Sequence, residues 1–110
     1  MDGRTKIVVG SQYYEEHLIE ILEYGMDMFG YAQAKKYFDI ISQFVERLDN
    51  EYNYHPECRH LATKSRKYRN IILDAHLIIY RITDTHIEVL DIIHSASSIK
   101  KIRSIRNIQV

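Results

Sequence analysis

The sequence has a single cysteine and a single proline, and it contains no apolar run of membrane-spanning length. A lone Cys58 cannot form an intrachain disulfide, and a transmembrane helix needs roughly 20 consecutive apolar residues. The opening residues, MDGRTKIVVGS, lack the long apolar core of a secretion signal. These absences argue against a disulfide-stabilised or membrane-bound domain, and we expect a cytoplasmic protein with no membrane partner.

The net charge is zero, but the two halves of the chain differ strongly in charge. Residues 1–57 carry 11 acidic and 5 basic side chains, whereas residues 58–110 carry 4 and 10. A cationic half favours a nucleic-acid or acidic-protein partner, because summed charge attracts surfaces of opposite sign. The alternative is that solvated charges happen to be distributed in this way.

The first half predicts a strand followed by two helices. At 110 residues we expect one domain, 1–110. KIVVG at 6–10 reads as a strand that joins the later strands through a long crossover, and Ser11 suits a helix N-cap. Apolar side chains at helical spacing predict helices over 12–29 and 31–50 that form an antiparallel hairpin covering a sheet. Their apolar positions are Tyr14, Leu18, Ile21, Leu22, Met28 and Phe29, then Ala34, Tyr37, Phe38, Ile41, Phe44, Val45 and Leu48.

The second half predicts three antiparallel strands, at 66–73, 76–83 and 86–94, rich in Ile, Leu, Val and Tyr. In the middle strand Ile78 and Tyr80 share one face, and Ile79 and Arg81 share the other. We therefore expect an α+β fold with one core face and one face that meets another molecule. The turns have no Asn-Gly or Asp-Gly pair to fix the register.

The segment 51–65 has no periodicity and reads as a loop. It contains the metal-type ligands His55, Cys58 and His60, but a structural zinc site needs four ligands, usually in paired spacing. We therefore expect no metal and no cofactor.

Basic residues cluster at the start of the first of the three antiparallel strands, a meander, and near the end of the chain. On a strand, Lys67 and Arg69 would project together about 7 Å apart, which suits adjacent phosphates or carboxylates. The final segment, SASSIKKIRSIRNIQV, has no acidic residue and predicts a short basic helix or a frayed tail.

This order of elements resembles the RelE/ParE superfamily of toxins from type II toxin–antitoxin modules, and more closely its ParE branch. The resemblance covers nearly the whole chain. The residues that carry it are Tyr24, Phe29-Gly30, Ala34, Tyr37 and Leu48, then Tyr68-Arg69, HLIIYRI at 76–82, Ile87-Glu88-Val89-Leu90 and Ile93-His94.

The resemblance implies a toxin of a plasmid-stabilisation module that arrests bacterial growth and is held inactive by a cognate antitoxin. ParE-like members inhibit DNA gyrase without catalysis, whereas RelE-like members cut messenger RNA on the ribosome. A third interpretation is a non-toxic relative that only binds antitoxin, because the family often has basic residues where this chain has Asp91 and Ser97. A homodimer or a hetero-oligomer with antitoxin is compatible with each interpretation.

The cleavage hypothesis assigns chemistry to Lys67, Arg69, Arg81 and His94. Attack by a ribose 2′-hydroxyl needs a base, a cation for the developing charge and an acid for the leaving oxygen. The three cations could supply charge and His94 the acid. Alternatively, His94 bonds to the backbone at its strand end, and the arginines pair with Asp91 or Glu88.

The residues that we expect to contact the target or the antitoxin are all basic or imidazole side chains of the second half. They are Arg66, Lys67, Arg69, Arg81, His94, Lys100, Lys101 and Arg103.

Overall fold

The computed structural model describes residues 5–110. Its elements are β1 (Ile7–Gly10), α1 (Gln12–Phe29), α2 (Tyr31–Glu46), α3 (Leu48–Glu51), β2 (Tyr68–Ile72), β3 (His76–Ile82), β4 (His86–His94), α4 (Ile99–Ser104) and a 3-10 turn at Ile105–Asn107. The sheet has the order β1-β4-β3-β2, with β1 parallel to β4 and the other neighbours antiparallel. The predicted α+β fold is confirmed, including the long crossover from β1 to the meander.

Ser11 joins the start of α1 to the sheet. Its Oγ accepts the Tyr14 N–H at 3.0 Å, as an N-cap residue does, and donates to the Leu90 carbonyl at 2.5 Å. The residue is 1 % exposed, so both bonds are shielded from water. Because the cap is fixed to β4, α1 begins against β4 directly after β1 ends.

The two long helices lie antiparallel and close together. Gly30 connects them with φ at 87°, a backbone conformation that a side chain would strain. A Cβ on Gly25 would lie only 3.3 Å from the Ala34 Cβ, so the glycine permits the close approach of the two helices.

The helices differ from the prediction at two places. The second helix was expected to reach residue 50, but α2 ends at Glu46, the chain turns at Arg47, and the short α3 follows with Leu48 fully buried. Met28 and Phe29, predicted to cover the sheet, are 58 % and 59 % exposed. An 18-residue helix is about 27 Å long, and the last turns of α1 pack on α2 rather than on the strands.

The sheet is buried on both faces, which corrects the prediction of one open face. The helical hairpin covers the first face, where Ile41, Leu48, Ile71, Ile78 and Tyr80 form part of the larger core. A smaller core covers the second face and is formed by Cys58, Leu61, Tyr68, Ile79, Leu90, Ile93, Ile102 and Ile105. The chain therefore supplies its own cover from residues 58–61 and from the C-terminal segment.

A bulge in β4 shifts the alternation of its side chains. Ile79 pairs with Asp91 but Tyr80 pairs with Val89, so Leu90 is the extra residue. Val89 then packs in the first core and Leu90 in the second. This shift is not visible in the sequence.

Candidate macromolecule-binding surfaces

Arg81 lies on the second face of the sheet and donates three hydrogen bonds within the chain. Its Nε donates to Glu88 at 2.7 Å, Nη1 to the Arg106 carbonyl at 3.3 Å and Nη2 to the Ile108 carbonyl at 3.2 Å. Burial by itself lowers the pKa of Arg81, but the hydrogen bonds to Tyr68 and Glu88 outweigh it and the pKa is raised. These bonds hold the Arg81 guanidinium within its own chain. The alternative, a cross-strand pair with Glu88, is confirmed.

Arg69 lies on the other face. Its guanidinium donates to three carbonyls, those of Arg66 at 2.9 Å, Asn53 at 3.3 Å and His55 at 3.0 Å. These bonds fasten the loop before β2 to the strand. Arg69 therefore has a structural role within the chain.

The predicted pair of Lys67 and Arg69 does not form, because β2 begins only at Tyr68. The Lys67 Nζ lies 5.6 Å from the centre of the Tyr68 ring, which belongs to the second core. Arg66 is exposed and its Nε is 3.6 Å from Glu57, a contact weakened by water. Lys67 and Arg66 remain accessible at one end of the sheet.

His94 lies at the opposite end of the sheet from Arg69. His94 pairs with His76 on β3, whereas Arg69 pairs with Tyr80 on the same strand. Tyr80 is four residues from His76, so the two sites are about 13 Å apart along β3. The His94 Nδ1 accepts the Ala96 N–H at 3.0 Å, so the neutral ring carries its proton on Nε2. The alternative interpretation, a histidine bonded to the backbone at a strand end, is confirmed.

A long open groove, which the sequence analysis missed, lies where the helical hairpin extends past this end of the sheet. Its volume is about 1130 Å³. The apolar lining includes Leu18, Ile21, Leu22, Tyr24, Phe29, Phe38, Ile40, Ile41, Ile92 and Ile93. Exposure of Tyr24 at 62 % and Phe29 at 59 % leaves an apolar surface that a monomeric chain does not cover.

Imidazole and cationic groups also line this groove. They are His17, Lys36, His76, His94 and Lys101. The Tyr37 hydroxyl lies 2.7 Å from the His76 Nδ1, and the rings of His76 and His94 are 5.9 Å apart. Burial, and to a lesser extent His94, lowers the pKa of His76, and burial raises the pKa of Tyr37. Both groups are therefore neutral at pH 7.

Asp91 is buried beside His17, a residue that lines the groove. It is 4 % exposed, its Oδ1 lies 2.6 Å from the His17 Nδ1, and the same oxygen accepts the Ile92 N–H at 2.8 Å. Position 91 therefore does not display a charge to solvent.

The C-terminal segment carries an exposed basic surface. Lys100, Lys101, Arg103 and Arg106 are all exposed, and within residues 5–110 none of them forms an ion pair. Ser98 caps α4 by accepting the Lys101 N–H at 3.1 Å. Of the two alternatives for this segment, the short basic helix is confirmed.

Two of the candidate metal ligands in the loop, Cys58 and His55, pack against apolar and aromatic side chains. Cys58 is 2 % exposed in the second core, and burial raises its pKa. His55 packs edge-on against Phe44 and Tyr80. Across residues 5–110 no three His, Cys, Asp or Glu side chains are grouped as a metal site.

The geometry defines a small α+β protein that offers an apolar groove and a cationic helix, a combination suited to binding other proteins. A chain of the chromosomal ParDE toxin–antitoxin system of P. aeruginosa has the same fold, with a TM-score of 0.67 at 16 % identity over 82 % of this chain and 96 % of that chain. No curated protein matches the sequence.

A family model described as the ParE toxin of the type II toxin–antitoxin system parDE matches residues 8–99. The chain belongs to this ParE toxin family. The resemblance drawn from the sequence is thus confirmed. No helix within residues 5–110 is long and apolar enough to cross a lipid bilayer.

Proposed function

We propose that the protein is a cytoplasmic toxin that arrests growth by binding DNA gyrase without catalysis, and that a cognate antitoxin neutralises it. Membership of the ParE family supports the toxin class. The single observation that favours binding over RNA cleavage is the separation of the residues that cleavage would need.

Cleavage requires an acid, a base and a cation within hydrogen-bond reach of one phosphate. Arg81 is on the second face and bonded to Glu88, whereas Arg69 is on the first face and bonded to carbonyls. His94 is at the far end of the sheet. No single phosphate can contact these groups together, so a RelE-type mechanism through them is disfavoured.

The groove suits the antitoxin. An acidic, amphipathic antitoxin segment would place apolar side chains against Leu22, Tyr24 and Phe38, and carboxylates beside His94 and Lys101. Such a segment folds on binding, as disordered inhibitory segments commonly do. The same contact would remove the exposed apolar surface from water.

The exposed cations suit the target. We assign target contact to Lys100, Lys101 and Arg103 on α4, with Arg66 and Lys67 as further accessible cations. Asp91 does not argue against toxicity, because the residue is buried and paired with His17.

Induction of the chain in a heterologous bacterium, with and without the product of the neighbouring gene, tests this function. We expect growth arrest with an induced DNA-damage response and intact transcripts, relieved by the antitoxin. Codon-specific messenger RNA cuts would support the nuclease instead. Unimpaired growth would support the non-toxic relative.

Paired charge reversals sharpen the test. Lys100→Glu with Arg103→Glu should abolish arrest while the protein still co-purifies with its antitoxin. Lys35→Glu with Lys64→Glu changes net charge equally at exposed lysines outside α4 and should leave arrest intact.

A further inference from the structure

The C-terminal segment is held against the second face of the sheet by a small apolar contact. Ile102 is 7 % exposed and Ile105 is 2 % exposed, both in the core that contains Ile79 and Ile93. Such a short helix has little stability of its own, because helices of this length are marginal in water. Its orientation therefore depends on what fixes it to the sheet.

Arg81 supplies that attachment. Two of its nitrogens donate to the carbonyls of Arg106 and Ile108, at the end of the 3-10 turn where carbonyls lack helical partners. Glu88 holds the third nitrogen at 2.7 Å, and the guanidinium lies 5.8 Å from the centre of the Tyr68 ring. The planar guanidinium of arginine can donate to the Glu88 carboxylate and to the two carbonyls at once, a geometry that a lysine ammonium does not match.

The charged side chains of the attached segment are all cationic. Lys100, Lys101, Arg103 and Arg106 are exposed, and the chain has no acidic residue after Asp91. A surface of one sign without internal partners is complementary to an acidic protein surface, and complementary charge contributes chiefly to orientation and association rate.

We propose that Arg81 and Glu88 are positioning residues, which lock the C-terminal segment so that its cations dock in a fixed arrangement on an acidic surface of the target protein. This inference rests on the proposed function. Locking the segment before the encounter spares the complex the entropy of ordering it, so an unlocked segment binds more weakly at unchanged charge.

The test compares Arg81→Gln, Arg81→Lys and Glu88→Gln with wild-type full-length protein in a gyrase supercoiling assay, together with hydrogen exchange of residues 99–108. We expect Arg81→Gln to raise the half-inhibitory concentration at least tenfold and to accelerate exchange in 99–108, with exchange in the centre of β3 and β4 little changed. Arg81→Lys and Glu88→Gln should be intermediate.

Arg69→Gln is the matched control, because it also removes an arginine bonded to backbone carbonyls, but on the opposite face of the sheet. It should inhibit within threefold of the wild-type protein. Equal inhibition by Arg81→Gln and wild type, or equal loss in Arg69→Gln, overturns the positioning role. Absence of inhibition by the wild-type protein overturns the proposed function and the docking surface with it.

Discussion

Arg69 and Arg81 lie on opposite faces of one sheet, because Arg81 stands opposite Tyr68 across the β2–β3 ladder and Arg69 stands opposite Tyr80. Both guanidinium groups bond to backbone carbonyls, yet they fasten different parts of the chain. Arg69 holds the loop before β2, and Arg81 holds the C-terminal segment. The two arginines thus hold different segments of the chain against the sheet.

Replacing Arg69 by glutamine should lower the free energy of unfolding by about 1–3 kcal/mol, the usual range when hydrogen bonds to a charged group are lost. The reason is that the carbonyls of Asn53 and His55 lose their donor. Urea denaturation measures the change, with the exposed Lys35→Gln as control. Equal midpoints for the two variants would contradict the structural role.

The His17–Asp91 pair should show energetic coupling. The Asp91 oxygen bonded to the His17 ring also accepts the Ile92 N–H, so Asp91→Ala, which removes both bonds, should cost more than His17→Ala. A double-mutant cycle measured by urea denaturation should give a coupling of about 0.5–3 kcal/mol, as for other contacting pairs. Strict additivity of the two changes would show that the contact contributes nothing.

Stability should decrease as the solution is acidified below about pH 6.5, the ordinary pKa of histidine. Burial lowers the pKa of both His55 and His76, so the folded chain binds fewer protons than the unfolded chain in this range. Unfolding then takes up protons, and the stability present above pH 6.5 is lost as pH falls through the folded pKa values.

Thermal unfolding at pH 7.5 and pH 5.5 checks this dependence. A His55→Phe, His76→Gln double variant should lose less stability between the two values than the wild-type chain. His60→Gln, outside both histidine environments, should behave like wild type. A pH response unchanged in the double variant would assign the dependence to other groups.

A charge placed in the groove should weaken antitoxin binding. Tyr24→Glu puts a carboxylate on an exposed part of the apolar lining, where it repels an acidic segment and interrupts apolar contact. We expect the dissociation constant, measured by calorimetry, to rise at least tenfold. Tyr54→Glu is the control, since Tyr54 is 78 % exposed and lies outside the groove. Similar effects of both variants would place the antitoxin elsewhere.

The sequence predicted the elements well because their patterns are local. Alternating apolar residues located β3 and β4 almost to the residue, and Ser11 marked the start of α1. The turns carried no dipeptide that fixes a hairpin, so the pairing of β2 with β3 was not determined. That register decides which arginine lies on which face.

The cover on the second face was also not predicted, although a signal was present. Isoleucine occurs every third residue at 99, 102, 105 and 108, a spacing that places the side chains along one side of a helical turn. The sequence analysis predicted a short basic helix or a frayed tail, and neither alternative placed these isoleucines against the sheet. The groove was missed because helical spacing alone does not reveal that α1 extends past the end of the sheet.

The most direct test of the proposed function is supercoiling of relaxed plasmid by purified gyrase, titrated with the full-length protein and then with its antitoxin. We expect inhibition at micromolar protein, restored activity on adding antitoxin, and no RNA cleavage in a parallel ribosome assay. Undisturbed supercoiling together with cut messenger RNA would contradict it.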